Sequence, residues 1–207
     1  CDGASQAYGY DLTCYQCDGG DCIDECGVCD GDGSTQCPNG SFSCDSCPPD
    51  SWSIIQTSAQ AFYYFNSVTL NGENVASEDW VAAFNGSTCV GVKQWDTSGF
   101  CSDAGILVQE ECEIAGAIWT WSACYNGVCD IPVMGDDSTD ATDGYMQSGE
   151  TPFFKIFDTS AGISYDALAS ENVPWELGGW PIIDNLQNTI YGCIDNSACT
   201  YDENANV

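Results

Sequence analysis

The sequence predicts a mainly β protein: an antiparallel β-sandwich with a disulfide-rich irregular N-terminal region and a short helical, cysteine-bounded insertion. Three observations point there. Residues 51–190 carry short β-branched and aromatic runs ("AFYYFNSVTL", "WVAAFN", "TCVGVKQW", "CDIPVM", "PFFKIFD"). Turn signals separate them ("LNGEN", "FNGS", "GDDSTDATDG", "DTSAG"), and short strands punctuated in this way belong to sandwiches and barrels. Nine of the sixteen cysteines crowd into the first fifty residues.

Residues 1–50 come first in chain order. They hold ten acids and many glycines but almost no aliphatic side chains. Such a segment cannot build an apolar core and needs bridges or metal to hold a shape. Three Cys-x-x-Cys pairs lie in it: Cys14/Cys17, Cys26/Cys29 and Cys44/Cys47. The first two have a spacing that also suits zinc. Crowding by Cys22 and Cys37 favours disulfides in an oxidised extracellular chain, with no zinc expected. The paired prolines of "CPPDSW" (47–52) mark the expected boundary of this acidic connector.

The core domain spans 51–190. In "FFKIFD" the alternation sets Phe154 and Ile156 on one face and Phe153, Lys155 and Phe157 on the other, so this strand is expected to be covered on both sides. Residues 101–124 break the β rhythm. Val108, Cys112 and Ala115 fall at helical spacing, which predicts a short helix inside a cysteine-bounded insertion between two strands. Residues 191–207 form a third segment, rich in Cys, Asp and Asn.

Charge narrows the function. The chain carries 32 acidic residues against two basic ones, Lys93 and Lys155, and has no histidine. It cannot neutralise a phosphate backbone, and nucleic acid is excluded as an expected partner. No basic patch meets an anionic membrane, and no apolar run reaches membrane-spanning length. Without histidine no Ser–His or Cys–His relay exists, so the expectation is a protein that is not an enzyme. A carboxylate pair is the hydrolytic device that the composition leaves open.

So much negative charge calls for counterions, and hard divalent cations with oxygen ligands, calcium above all, are the natural ones. Three clusters are candidate ligands. The first is Asp18, Asp21, Asp24, Glu25, Asp30 and Asp32, where glycines let the backbone fold round an ion. The second is Asp136, Asp137, Asp140 and Asp143, four carboxylates that repel one another unless a cation or solvent intervenes. The third is Asp195, Asp202 and Asn204, beside Glu203. The alternative for each is a polar turn without an ion. Asn39 and Asn85 begin sequons and are glycosylation candidates.

Three stretches carry a resemblance. "DCIDECGVCDGDGSTQC" (21–37) resembles the "DECGVCGGDGS" repeats of very large secreted surface proteins of aquatic microbes. "GCIDNSACTYDENANV" (192–207) is similar to their "GCTDPxACNYDPxA…DDGSC" repeats, short of the third cysteine. "DWVAAFNGSTCVGVKQWD" through "CDIPVMGDD" to "GYMQSGETPFFKIFD" resembles the β-sandwich modules found beside them. The resemblance implies modular extracellular architecture rather than catalysis, and the 101–124 insertion departs from it.

On this reading the chain is a structural subunit or repeat unit of an extracellular filament or surface appendage. Disulfides and calcium stabilise it, it meets copies of itself head to tail, and both of its ends fall inside repeats because units join there. Nine cysteines before residue 51 and seven after it mean that one must bridge the regions, stay free or pair with a neighbour, and Cys1 is the candidate for an intermolecular bridge. The alternative is a calcium-dependent carbohydrate-binding adhesin module whose exposed tryptophans, among Trp80, Trp95, Trp119, Trp121, Trp175 and Trp180, stack on glycans.

Overall fold

The computed structural model describes residues 35–37, 42–43, 47–103, 105–122, 124–125, 128–190 and 205. The class is the expected one, mainly β. Two short strands, β1 (Thr35–Gln36) and β2 (Phe42–Ser43), pair antiparallel ahead of the core. The main sheet has eight strands: β3 (Gln60–Leu70), β4 (Glu73–Asn74), β5 (Trp80–Asn85), β6 (Thr88–Gln94), β9 (Cys129–Met134), β10 (Phe153–Asp158), β11 (Ile163–Ala169) and β12 (Ile182–Asn188). Their order is β4-β3-β12-β11-β10-β5-β6, with β9 on β3. The insertion contributes β7 (Gly99–Cys101), α1 (Gln109–Ile114) and β8 (Trp119–Trp121), with β7 and β8 forming a separate two-stranded sheet.

Local chemistry sets the hairpins. Asn71 and Gly72 take φ of 53° and 86°, so a two-residue turn joins Leu70 to its partner Glu73. The Asn71 backbone N–H then donates to Asn188 Oδ1 at 2.7 Å, and Asn188 Nδ2 returns a bond to Asn71 Oδ1 at 3.1 Å. Gly86 and Gly162, also at positive φ, turn β5 into β6 and β10 into β11.

The sandwich expectation is refined: the strands form one curled mixed sheet. β3 is eleven residues long, pairing β9 over Gln60–Phe65 and β12 over Tyr64–Thr69. Tyr64 and Phe65 pair with both, so β9 and β12 lie on opposite edges of β3, and the right-handed twist of the strands curls the sheet. β12 runs parallel to β3, where antiparallel pairing was expected. The two strands lie at opposite ends of the core sequence, so no hairpin constrains their direction. Curling brings β6 against β9. A Cβ on Gly91 would stand 2.6 Å from the Pro132 carbonyl oxygen, and Lys93 Nζ reaches Asp130 Oδ1 at 3.3 Å across the seam. Pro132 has no N–H to offer a ladder.

Alternation fills the inside. Tyr63, Phe65, Val81, Ile131, Val133, Phe154, Ile156, Ile183 and Leu186 are buried together, capped by Met146 and Trp175. Phe65 meets Phe154 edge-on at 5.1 Å, the geometry that aromatic quadrupoles favour. β5 buries both of its faces. Trp80, Ala82 and Phe84 pack outward against Trp52, with Ile54 and Phe157 at the margin. For β10, Phe154 and Ile156 are buried. Phe157 packs on Trp52 at 5.9 Å, whereas Phe153 stacks on Phe84 at 5.3 Å and stays 39% exposed. The second face of "FFKIFD" is thus covered in part, by the segment that follows the paired prolines.

Three disulfides lie among the described residues: Cys37–Cys47, Cys101–Cys112 and Cys124–Cys129. They imply an oxidising environment. Cys47 bonds to Cys37, not to its Cys-x-x-Cys neighbour Cys44. The helix α1 forms where it was expected, but its inward residue is Cys112 alone, with Val108 half-exposed and Ala115 exposed. A bridge to β7, more than an apolar face, holds this short helix. Among the described residues no helix is long and apolar enough to cross a membrane.

Candidate functional site

The second acidic cluster is the one that falls on described residues. It lies in the loop from β9 to Tyr145, and its organiser is a threonine. Asp136 Oδ1 accepts from the Ser138 N–H at 2.7 Å and lies 3.2 Å from Thr142 Oγ1, whose single proton points to the nearer Asp137. Asp137 Oδ1 accepts from Thr139 Oγ1 at 2.7 Å, Thr142 Oγ1 at 2.7 Å and the Thr139 N–H at 3.2 Å. These are aspartate turns that close on their own backbone. Thr142, only 1% exposed, sits beneath both carboxylates. The Thr139 hydroxyl first and the Thr142 hydroxyl second hold the Asp137 carboxyl below its ordinary range.

The loop therefore brings Asp136 and Asp137 together on Thr142, while Asp140, in a 3-10 turn, and Asp143 stay exposed. The loop supplies hydroxyl and amide donors of its own to Asp136 and Asp137. No group of three His, Cys, Asp or Glu side chains converges as a metal site among the described residues. Asp18, Asp21, Asp24, Glu25, Asp30, Asp32, Asp195, Asp202 and Asn204 lie outside the described residues, as do Cys1 and Asn39.

Asn85 ends β5 beside the same loop. Its Nδ2, the atom to which an N-linked glycan would be joined, donates to Glu150 Oε2 at 2.9 Å and reaches the carbonyls of Gly144 and Tyr145 at 3.3 and 3.4 Å. A glycan there would displace a donor that now ties the loop to the sheet.

The tryptophans sort into two groups. Trp80, Trp95 and Trp175 belong to the core, and Trp175 Nε1 donates to the Val133 carbonyl at 3.0 Å. Trp119 and Trp121 are half-buried on β8, and Trp180 is 75% exposed. The Trp119 indole lies across Gly99, where a Cβ would come within 2.5 Å of Nε1.

Trp121 faces a groove of about 360 Å³ between the main sheet and the β7–β8 hairpin. Asn66, Ser67, Val68, Asn74, Val75, Trp95 and Thr97 complete its lining. Trp95 and Trp121 stand out in the sequence as aromatic candidates, whereas the amides and hydroxyls do not. They come from β3, β4 and the segment after β6, so no spacing in the chain marks them. Thr142 was legible in principle, since "DDSTDAT" is a run of residues that bond their own backbone.

Set against family models, curated proteins and solved structures, the chain matches none.

Proposed function

We propose that this protein is a structural unit of an extracellular filament or surface appendage, joined to its neighbours through its cysteine-rich segments. The observation that carries this reading is the cysteine count. Of sixteen cysteines, the three described bridges take six, and Cys89 is a buried free thiol, a seventh. Nine remain, an odd number, so at least one of them is free or bonds beyond these 207 residues. Cys1 stays the first candidate.

Two further features fit a load-bearing unit. The segment after Cys47 is docked: Trp52 packs against Phe84 and Phe157, both at 5.9 Å, so pull on the bridged segment reaches the sheet through packed rings. Both lysines are also spent within the sheet, Lys93 on Asp130 and Lys155 on Asp166. Contact between copies through acidic surfaces then needs bridging cations, and calcium on the glycine-rich Asp30–Asp32 segment is the proposed one.

The test is the denatured mass of native material with and without reductant. A ladder that collapses to the unit mass on reduction supports covalent joining of separate units, and a giant species that survives reduction supports one continuous chain of such units. A lone unit of 22.1 kDa in both lanes, carrying two or more alkylatable thiols, overturns the covalent reading.

A further inference from the structure

The groove beside Trp121 has a composition at odds with the rest of the chain. Acids make up 32 of 207 residues, yet all eight lining residues are uncharged. Four are amides or hydroxyls, Asn66, Ser67, Asn74 and Thr97, and two are indoles, Trp95 and Trp121. Its volume, about 360 Å³, falls at the lower end of pockets that hold small ligands.

Its walls are braced. Asn66 Nδ2 donates to Asp184 Oδ1 at 3.2 Å, which fixes the plane of the amide. Ser67 Oγ donates to the Asp184 carbonyl at 3.1 Å and accepts from Asn185 Nδ2 at 3.0 Å, so its hydroxyl is committed to the wall. Trp121 is held edge-on by Trp119 at 6.0 Å and by Tyr125 at 6.4 Å. The pairing of Gly99 with Trp121 and the Ser122 N–H to the Ser98 carbonyl at 3.1 Å anchor the hairpin that carries it. The Asn74 amide and the Thr97 hydroxyl have no protein partner among the described residues. A site whose aromatic and amide groups are fixed in advance loses little freedom when a ligand binds.

From this lining we infer that the groove binds a neutral saccharide. Sugar hydroxyls both donate and accept, as do amides and hydroxyl side chains, whereas a charged lining would select ions. The C–H face of a pyranose ring needs an apolar plane, and the Trp121 indole is that plane. The surrounding acidic surface repels uronic and sulfated glycans, so the class is uncharged. Binding uses no cation, since the lining has no carboxylate. This inference is independent of how units join.

The experiment titrates the 207-residue chain with cellotetraose, mannotetraose and chitotetraose, and with tetragalacturonate as the anionic probe, by calorimetry and tryptophan fluorescence in the presence of EDTA. We expect at least one neutral tetrasaccharide to bind with a millimolar or tighter Kd and to shift the tryptophan emission, with no binding of tetragalacturonate. Trp121→Ala should weaken binding by about tenfold or more. Because Trp121 also braces the hairpin, Asn74→Ala and Thr97→Ala serve as second variants. Both positions are exposed, and each change should weaken binding with melting temperature unchanged. Trp180→Ala, outside the groove, should leave binding intact. The inference is overturned if no neutral probe binds at millimolar concentration. It is equally overturned if a parallel titration with calcium in place of EDTA shows binding that EDTA abolishes, or if binding survives the groove variants unchanged.

Discussion

Asp79 shows what a single buried carboxylate does here. It is 4% exposed, and its oxygens accept from the Ala76 N–H at 2.9 Å and the Thr159 N–H at 3.0 Å, joining the turn before β5 to the turn after β10. Asp79→Ala leaves both donors unpaired and should cost about 1–3 kcal/mol in chemical denaturation. Burial outweighs the two N–H donors and raises its pKa above the ordinary carboxylate value. The folded state therefore holds this proton more tightly than the unfolded chain. Its contribution is greatest at low pH and falls as pH climbs from the ordinary value through the raised one, so the stability gap to Asp79→Ala should narrow across that window. Asp137 behaves oppositely. Hydroxyls of Thr139 and Thr142 lower its pKa, so its contribution is present above the ordinary value and is lost as pH falls through the folded one. Thr142→Val removes one of those hydroxyls, and carbon-detected titration should show the Asp137 carboxyl moving back up. An unmoved midpoint would refute the role given to Thr142.

At the scale of elements, the seam between β6 and β9 is a close backbone contact. Gly91→Ala places a methyl 2.6 Å from a backbone oxygen that has no room to retreat. We expect a loss of about 1–3 kcal/mol, the usual cost of overpacking, read as a lower denaturation midpoint. The insertion should respond differently. With Cys112 its only buried residue, α1 depends on the bond to Cys101, so Cys101→Ala with Cys112→Ala should release amide-exchange protection in α1 while β3, β5 and β10 keep theirs. The same contrast explains what could be read in advance. Local features were legible: Asn71-Gly72 is a hairpin turn in any context, and the alternation of Phe154 and Ile156 names a buried face. The helix was legible by spacing, but its face was not, because a bridge rather than apolar burial orients it. Pairings between distant segments were hidden. Nothing near β3 announces that it will lie parallel to β12, or that Asn66, Thr97 and Trp121 will share a groove. Of the candidate calcium ligands, the loop at 136–143 is legible in the sequence as a run of carboxylates. Its solution in Thr142 depends on which way one buried hydroxyl faces.

The molecule as a whole carries a formal charge of -30, with both lysines already paired inside the sheet. Two physical pictures account for a fold that tolerates this. Either mobile salt screens the repulsion over a Debye length of about 8 Å at physiological strength, or bound calcium removes charge at defined places. The two diverge when ionic strength is held constant. Screening responds to ionic strength, so sodium chloride and calcium chloride at matched strength should raise the melting temperature by about the same amount. A site adds a mass-action term, about 2.7 kcal/mol when calcium stands at a hundred times its Kd. For a chain of this size that corresponds to a further shift on the order of 5–10 °C. We expect the calcium excess, and we expect Asp30→Asn with Asp32→Asn to diminish it. Asp136→Asn should leave it nearly intact, since hydroxyl and amide donors already serve that loop. Equal shifts in the two salts would mean that the acids are a solvated surface, and the structural unit would then have to cohere through its disulfides and packed rings alone.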